Sequence, residues 1–512
     1  FCDVKGSTAA ARHLDPEEWA EIINGAFEYL IAPVYRYEGT LARLMGDAIL
    51  AFFGAPIAHE DDPLRAVLAG LEILEGIRPY SEQVRRQWGF EFSVRVGINT
   101  GLVVVGEVGS DLRMEYSALG DAINVASLME ETAQPGTLQV SEQSYRHVAP
   151  LFEFEPPRAI PLKGTTEVVQ AYRVVQRKAQ PGRLRGIQGL DAALVGRHRE
   201  LEIIQDRLDR LQQGVGSLLF LVGEAGLGKS RLIAETRTRW LSDSPEMARR
   251  TWYETASLSY EMGHPYGLFQ RLARHLAGTT ENDPPERTRE HLAEILQSLS
   301  PEFRERATSV FDTLFATQSD GDGRPLEGEA FKRQLFDVML VLWRELASSL
   351  PTIIVFDDLH WADTASIALL QHLLQLTEQI PLLIIGALRP DRTAPAWQVK
   401  QMAETDYFHR YREVTLRPLS EAESDELVNR LLIVADLPSQ LRQRILARTE
   451  GNPFFVEEVV RVLIDSGAMA RDESGNHWIT VDEPDAIEIP DSLQALLISR
   501  IDRLEEEARR TL

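Results

Sequence analysis

Near its middle the chain reads Leu218-Leu219-Phe220-Leu221-Val222-Gly223-Glu224-Ala225-Gly226-Leu227-Gly228-Lys229-Ser230. The apolar start has the length of a buried strand, and the residues after the loop have the apolar spacing of a helix. The loop fits the pattern G-x-x-x-x-G-K-[ST], in which backbone N–H groups surround phosphate oxygens at a helix N-terminus. We therefore predict a loop that binds the phosphates of a nucleoside triphosphate, shaped by Gly223, Gly226 and Gly228. Lys229 would reach the β- and γ-phosphates, and the Ser230 hydroxyl would ligate Mg²⁺.

A second apolar segment, residues 353–356, ends in Asp357 and Asp358. A strand that ends in acids is the element expected to complete a Mg²⁺–ATP site. Its presence argues against the glycine-rich loop before Lys229 being a turn without a function. Asp357 would hold the Mg²⁺ shell, and Asp358 would polarise the attacking water. A further apolar strand, Leu382–Leu388, ends in Arg389, at the sheet edge where ligands bind. We predict that Arg389 senses the γ-phosphate.

The amino-acid composition of the chain indicates how many domains it has and which partners and location to expect. The 512 residues are 44% hydrophobic and 26% charged, which predicts roughly two to four globular domains. A net charge of −24 makes a nucleic-acid partner unlikely, because such proteins normally present a basic face. The single cysteine, Cys2, favours a reducing compartment, so we expect a cytoplasmic location. No apolar run reaches the length of a membrane span, so no membrane partner is expected. The chain starts without Met inside a predicted strand and ends inside a predicted helix, so we expect a fragment.

Residues 1–175 alternate predicted helices with short strand pairs, which predicts an α/β sandwich around one sheet. Asp3 ends the first predicted strand, and Asp47 follows Gly46 at a hairpin tip. If those strands are neighbours, the two carboxylates converge and can hold paired Mg²⁺ ions. Taken alone, Asp47 is better explained as a turn former.

Four segments of this region resemble the class III adenylate/guanylate cyclase catalytic domain, in that family's order and spacing. They are FCDVKGST (1–8), LMGDA (44–48), RVGINTG (95–101) and GDAINVA (120–126). The resemblance implies a ferredoxin-like fold in which Asp3 and Asp47 are ligands of two metal ions, Mg²⁺ or Mn²⁺. Backbone amides around Gly6, Ser7 and Thr8 would cradle phosphates.

The same resemblance implies roles for residues farther along the chain. Arg95 would contact the triphosphate, and Asn124 would orient the ribose in a site formed with a second cyclase domain, in a homodimer or a heterodimer. Ser117 lies where the family reads the base, and its short hydroxyl fits a subgroup with Thr at that position. Arg43 stands where an adenine-reading Lys is usual, so the choice between ATP and GTP stays open. Leu128 replaces an Arg that stabilises transition-state charge, and losing one such donor typically costs about 10²–10³ in rate.

The second half of the chain resembles the STAND group of AAA-related ATPases over roughly residues 194–512. In that group the segment VGRHREL (195–201) lies over the adenine, and a Gly-x-Pro element, here EGNPFFVEE (450–458), senses the nucleotide in a helical lid. Residues 490–504 resemble the start of a winged helix. The predicted divisions are a cyclase domain at 1–175, a linker at 176–193, a P-loop ATPase domain at 194–418, a helical lid at 419–475 and a truncated winged-helix-like segment at 476–512.

These features predict an adenylate cyclase that forms cAMP and pyrophosphate and is regulated by its own ATPase domain, in signal transduction. The predicted ligands are ATP with Mg²⁺ at the phosphate loop, and ATP with Mg²⁺ or Mn²⁺ at the cyclase site. Leu128 and Arg43 also suit an inactive pseudocyclase that serves as a nucleotide-binding or dimerisation module of an ATP-driven switch. A transcriptional regulator would further need DNA binding by a C-terminal region.

Overall fold

The structure of the protein is a computed structural model, which describes residues 1–5, 14–57, 59, 61–89, 92–101, 103–110, 113–119, 121–162, 168–178, 194–242, 251–262, 264–281, 283–315, 328–348, 350–432, 438–465, 468–471 and 478–480. These residues fall in two units, one within residues 1–185 and one within residues 186–493. Both units mix helices and strands, so the predicted α/β class is confirmed. Among the residues described, no helix is both long and apolar enough to cross a membrane.

The described part of the first unit contains, in chain order, β1 (Cys2–Lys5), α1 (Pro16–Arg36), β2 (Thr40–Met45), β3 (Ala48–Phe52), α2 (Asp62–Trp88), β4 (Ser93–Ile98), β5 (Val104–Ser110), β6 (Arg113–Leu119), α3 (Asp121–Thr132), β7 (Leu138–Ser141), α4 (Glu142–Val148), β8 (Phe152–Phe154), β9 (Arg158–Pro161) and β10 (Val168–Arg177). One sheet has the order β2-β3-β1-β4-β7-β10-β8, with β9 also paired to β10, while β5 and β6 form a separate hairpin. Helix α2 continues through Pro79 and ends before Gly89, whose φ of 68° suits a glycine.

The two faces of the large sheet differ in chemistry. Val4 of β1 and Val96 of β4 point into a hydrophobic core shared with α1 and α2. Because side chains alternate along a strand, Asp3, Arg95 and Gly97 lie on the opposite face. The second face therefore carries the charged residues of β1 and β4.

Helix α3 covers that second face at very short range. A Cβ atom at Gly97 would lie 2.0 Å from the backbone nitrogen of Glu130, which is closer than any side chain tolerates. Glycine at this position thus lets the helix backbone rest directly on β4. The close approach fixes Glu130 beside the charged residues of the sheet.

The described part of the second unit contains α5 (His198–Gln212), β11 (Ser217–Val222), α6 (Lys229–Ser242), β12 (Thr251–Ala256), α7 (Gly267–Leu276), α8 (Pro285–Leu296), α9 (Pro301–Leu314), α10 (Glu329–Ser348), β13 (Thr352–Asp357), α11 (Thr364–Leu373), α12 (Leu376–Gln379), β14 (Leu382–Leu388), α13 (Pro395–Asp406), β15 (Tyr411–Thr415), α14 (Glu421–Leu432), α15 (Ser439–Thr449), α16 (Pro453–Asp465), β16 (Met469–Arg471) and β17 (Trp478–Thr480), with short 3₁₀ turns at Ser259–Glu261 and Leu359–Trp361. Five strands form a parallel sheet in the order β12-β13-β14-β11-β15.

Strands β11, β13 and β14 are buried along their whole length. Helices cover both faces of this sheet: Leu219 and Leu221 pack with α5 and α6, whereas Leu218 and Phe220 pack on the other side with α7 to α13. Parallel strands covered on both faces read as continuous apolar runs, which is why these strands are visible in the sequence. The predicted winged-helix segment at 476–512 lies outside the described residues, apart from β17.

Candidate functional site

In the first unit, Asp3 and Asp47 come from neighbouring strands. Strand β1 pairs with β3 so that Asp3 is opposite Ala48, which places Asp47 one residue from the paired position. Gly46 before it has a φ of 70°, a value that suits a glycine in the hairpin turn. Burial raises the pKa of Asp3, the hydrogen bond from Arg95 opposes that rise, and the Asp47 charge adds to it. The two carboxylates therefore lie close enough to interact.

This carboxylate pair suits a divalent cation. Atom Oδ2 of Asp47 is buried and has no hydrogen-bond partner among the described residues. Within the described ranges, no group of three or more His, Cys, Asp and Glu side chains is arranged to hold a metal. Mg²⁺ is commonly held by one or two carboxylates together with substrate phosphates and water, so a two-carboxylate donor set fits it.

Arg95 lies between this pair and helix α3. Its Nη2 donates to Oδ2 of Asp3 at 3.0 Å, and its Nη1 donates to the backbone oxygen of Glu131 at 2.9 Å. Its Nε lies 2.6 Å from Oε1 of Glu130, an ion pair without the alignment of a hydrogen bond. The predicted triphosphate contact of Arg95 stays a prediction.

Glu130 is a residue of this site that the sequence did not reveal. Its residue exposure is 7%, and burial raises the pKa of its carboxyl to about 7, against the lowering effect of Arg95. The sole local signal is an acid that follows two apolar helix residues, Leu128 and Met129. A glutamate is usually exposed to solvent, so the burial of Glu130 and its partner follow only from the tertiary structure.

The other predicted cyclase residues are spread over several elements. Asn124 is exposed on α3, as a residue that meets a second subunit requires, and Arg43 is exposed on β2. Ser117 lies on β6, where it pairs with Gly106 of β5. Gly6, Ser7 and Thr8 lie outside the described residues. The roles of these residues stay predictions.

Leu128 is buried, with 6% of its surface exposed. It packs in a small apolar cluster with Met129, Ile160 and Ala171. The side chain that stands where the family has an Arg therefore contributes to packing.

In the second unit, the loop after β11 leads directly into α6, as predicted. Gly226 and Gly228 have φ values of 79° and 94°, which residues with a side chain rarely adopt. Lys229 is buried at the start of α6, and its Nζ donates to the backbone oxygens of Gly223 at 2.7 Å and Glu224 at 3.0 Å. The lysine thus lies against the loop, where it is predicted to bind the phosphates of a nucleotide.

Asp357 at the end of β13 completes this group. Burial raises the pKa of Asp357, while hydrogen bonds from the Ser230 hydroxyl and the Asp358 amide, together with the Lys229 charge, oppose the rise. The Asp358 nitrogen lies 2.9 Å from Oδ1 of Asp357. The residues predicted to bind and ligate Mg²⁺–ATP are therefore brought together.

Asp358 and Arg389 lie at the same sheet edge, because β14 runs between β11 and β13. Asp358 has a φ of 50°, in the left-handed region that Asp tolerates better than most residues. The Arg389 guanidinium lies 5.5 Å from the centre of the Trp361 ring, a cation–π contact that holds it at this edge. Water activation by Asp358 and γ-phosphate sensing by Arg389 stay predictions.

Two further side chains hold the phosphate loop. Nη2 of Arg197 donates to the backbone oxygen of Leu227 at 3.1 Å, and Nδ2 of Asn452 donates to that of Ala225 at 3.0 Å. A Cβ atom at Gly226 would lie 2.6 Å from Oδ1 of Asn452, so this contact needs the glycine. Both side chains fall in segments singled out in the sequence, 195–201 and 450–458, but their partners were not predictable from it.

Three segments of the chain match known family models. Residues 1–176 match the family model of the adenylate and guanylate cyclase catalytic domain, residues 193–385 that of an AAA ATPase domain, and residues 420–477 a domain of unknown function. An uncharacterised protein of Rhizobium meliloti (strain 1021), R02095, is 25% identical over 495 residues, which are 93% of this chain and 45% of that protein. Adenylate cyclase 1 of the same strain is 29% identical over 177 residues, 34% of this chain and 27% of its own length.

Among solved structures, the crystal structure of the guanylyl cyclase Cya2 matches with 30% identity and a TM-score of 0.34, covering 35% of this chain and 90% of that one. The present chain spans less than half the length of the two curated relatives.

Proposed function

We propose a signalling function for this chain, which joins a class III nucleotide cyclase catalytic domain at residues 1–176 to an AAA ATPase domain at residues 193–385. The cyclase domain converts ATP to cAMP and pyrophosphate, and ATP at the phosphate loop regulates it. The expected linker at 176–193 starts later, because β10 continues to Arg177; residues 178–193 serve as the linker and residues 419–475 as a STAND-type helical lid. The proposed location is the cytoplasm.

In the proposed reaction the ribose 3′-oxygen bonds to the α-phosphorus, the bond from that phosphorus to the pyrophosphate oxygen breaks, and the 3′-hydroxyl proton is lost. Mg²⁺ or Mn²⁺ held by Asp3 and Asp47 would activate the hydroxyl and neutralise phosphate charge. Arg95 binds the triphosphate beside the carboxylate pair. Asn124, exposed on α3, orients the ribose in the site of a second cyclase domain. The observation that carries this proposal is the register of Asp3 opposite Ala48, with the buried, unpartnered Oδ2 of Asp47 beside it.

The test is cyclic nucleotide formation by the purified chain with ATP or GTP and with Mg²⁺ or Mn²⁺. We expect cAMP from ATP, and a loss of at least about a hundredfold in Asp3→Ala and in Asp47→Ala, because each removes a metal-binding carboxylate. Glu75→Ala, which removes an exposed carboxylate of α2, is the matched control and should keep full activity. Turnover that survives in both aspartate variants would refute Asp3 and Asp47 as the metal ligands of the reaction, no product from the wild type would refute cyclase activity, and cGMP from GTP would correct the substrate.

A second candidate function rests on Leu128. Because this buried side chain offers no hydrogen bond to a transition state, the domain also suits a pseudocyclase that binds nucleotide and drives dimerisation. Absence of product under every metal and nucleotide condition, with binding of a fluorescent ATP analogue retained, would favour this candidate.

The proposed ATPase site is tested separately. Lys229→Ala should abolish ATP binding at the loop, whereas Asp358→Asn should keep binding and lose hydrolysis, because it alters only the group proposed to polarise water. Equal hydrolysis by the wild type and Asp358→Asn would remove Asp358 from the catalytic machinery.

A further inference from the structure

Arg95 has two hydrogen-bond acceptors and one further ion-pair partner, and only Asp3 among them belongs to the proposed metal site. Asp3 binds Nη2 at 3.0 Å, the carbonyl of Glu131 binds Nη1 at 2.9 Å, and the Glu130 carboxylate lies 2.6 Å from Nε. The side chains of Arg95 and Glu130 are 18% and 9% exposed. A guanidinium so withdrawn from water needs its anionic partners, because an unpaired buried charge is costly.

Glu130 cannot readily move away from this position. Helix α3 rests on β4 at Gly97, where a Cβ atom would lie 2.5 Å from the Cα of Glu130. Arg95 is two residues before Gly97 on the same strand and therefore on the same face. The backbone contact thus sets the distance between Glu130 and the guanidinium.

The carboxylate of Asp3 has two competing partners. Arg95 neutralises it in the structure, and a divalent cation would neutralise it in the proposed reaction. A cation that binds Asp3 deprives Arg95 of one anionic partner and repels the guanidinium. Glu130 is the anionic partner that remains, because its carboxylate lies at Nε of the guanidinium and helix α3 holds it there.

We propose that Glu130 is a positioning residue: it shares Arg95 with Asp3 and retains the guanidinium beside the site when a divalent cation takes over the Asp3 carboxylate. This inference rests on the proposed function, because it assumes that Asp3 binds a cation. Its consequence is that Glu130 promotes cation binding by weakening the competition from Arg95.

The experiment measures Mn²⁺ binding to the full chain without nucleotide, by the electron paramagnetic resonance signal of free Mn²⁺. Every protein carries Ser230→Ala and Asp357→Asn, so that both proposed metal ligands of the phosphate-loop site are removed. Glu130→Gln should raise the Kd for Mn²⁺ by about tenfold, because Arg95 then pairs with Asp3 alone. Arg95→Gln should lower that Kd, because it removes the competing cation. Glu131→Gln keeps the backbone acceptor while removing a neighbouring charge, and should change the Kd by less than about twofold.

The double variant Arg95→Gln/Glu130→Gln decides the route by which Glu130 acts. If Glu130 acts through Arg95, its replacement has no further effect once Arg95 is gone. An equal weakening of Mn²⁺ binding with and without Arg95 would overturn the inference, since Glu130 would then attract the cation through space. An unchanged Kd in Glu130→Gln would also overturn it and leave Glu130 a purely structural residue.

Folding and the parent proposal are controlled for separately. Thermal unfolding of each variant shows whether it folds, and Glu130→Asp, which keeps the charge but shortens the side chain, replaces Glu130→Gln if the latter does not. A folded Glu130→Asp should raise the Kd by a smaller factor, and an unchanged Kd would overturn the inference. Mn²⁺ binding that is the same in the parent and in Asp3→Ala would refute the metal site and with it this inference. If Mn²⁺ binding depends on Asp3 but does not change when Glu130 is replaced, the metal site stands and only the inference about Glu130 is refuted.

Discussion

Leu128 shows how a single residue can change both stability and chemistry. Its side chain fills an apolar cluster with Ile160 and Ala171, so Leu128→Ala should lower the free energy of unfolding by about 2–5 kcal/mol through the cavity it leaves. Leu128→Arg restores a donor but places a guanidinium among apolar side chains, so it should destabilise the domain as well. Urea unfolding followed by circular dichroism measures the free energy of unfolding of both variants. Cyclase activity per folded protein shows whether the donor in Leu128→Arg raises the rate. A Leu128→Arg protein as stable as the wild type would show that the arginine reaches solvent.

His59 gives the first unit a predictable pH dependence. Burial would lower the pKa of His59, but hydrogen bonds with Asp62 and Glu38 outweigh it and raise the pKa to about 9, although Arg65 nearby opposes the charge. Because this pKa lies above that of an unfolded histidine, about 6.5, the stabilisation is complete below pH 6.5 and is lost as the pH rises through 9. We expect the free energy of unfolding to fall between these pH values, and the fall to be smaller in His59→Gln. Parallel pH profiles for the two proteins would contradict the assignment.

At the scale of elements, the start of α16 is joined to the phosphate loop. Glu450 and Gly451 both have left-handed backbones, with φ values of 48° and 74°, and they turn the chain so that Asn452 binds Ala225. The backbone nitrogen of Phe454 also donates to the Gly226 oxygen at 3.3 Å. Helix α16 and the phosphate loop are therefore joined by hydrogen bonds.

Asn452→Asp tests this connection, because it keeps the shape of the side chain but loses the donor and adds a negative charge near the phosphates. The Kd for a fluorescent ATP analogue should rise by roughly ten- to a hundredfold. Asn429→Asp makes the same change on the exposed surface of α14 and should leave the Kd within about twofold. Equal affinities for wild type and Asn452→Asp would show that the lid contact does not influence the nucleotide site.

At the scale of the whole molecule, one ligand is proposed for two sites, since we propose ATP both as the cyclase substrate and as the ligand of the phosphate loop. In the wild type, cAMP formation should therefore depend on ATP concentration in a non-hyperbolic way. Lys229→Ala should make the dependence hyperbolic without abolishing product, because it removes the regulatory site and leaves Asp3 and Asp47 intact. Steady-state rates over a wide range of ATP concentration test this, and superimposable curves would contradict regulation by the ATPase domain.

Much of the fold follows from local sequence patterns. The apolar runs before Gly223 and Asp357 are buried strands of one parallel sheet, as their composition predicts. These elements are predictable because helix and strand periods, glycine-rich turns and apolar runs are properties of neighbouring residues. For the same reason the phosphate loop could be singled out from local sequence, whereas Asp3 and Asp47 are assigned as metal ligands through the resemblance to cyclases.

Only the tertiary structure decided which of these groups meet. Arg95 contacts Glu130 from another element, and Asn452 binds Ala225 across 227 positions of sequence. Leu128 was visible as a missing donor, but its place in an apolar cluster was not. A buried charge or amide is stable only with a partner, and that partner is set by the packing of helices on sheets, such as α3 on Gly97, which no local period encodes.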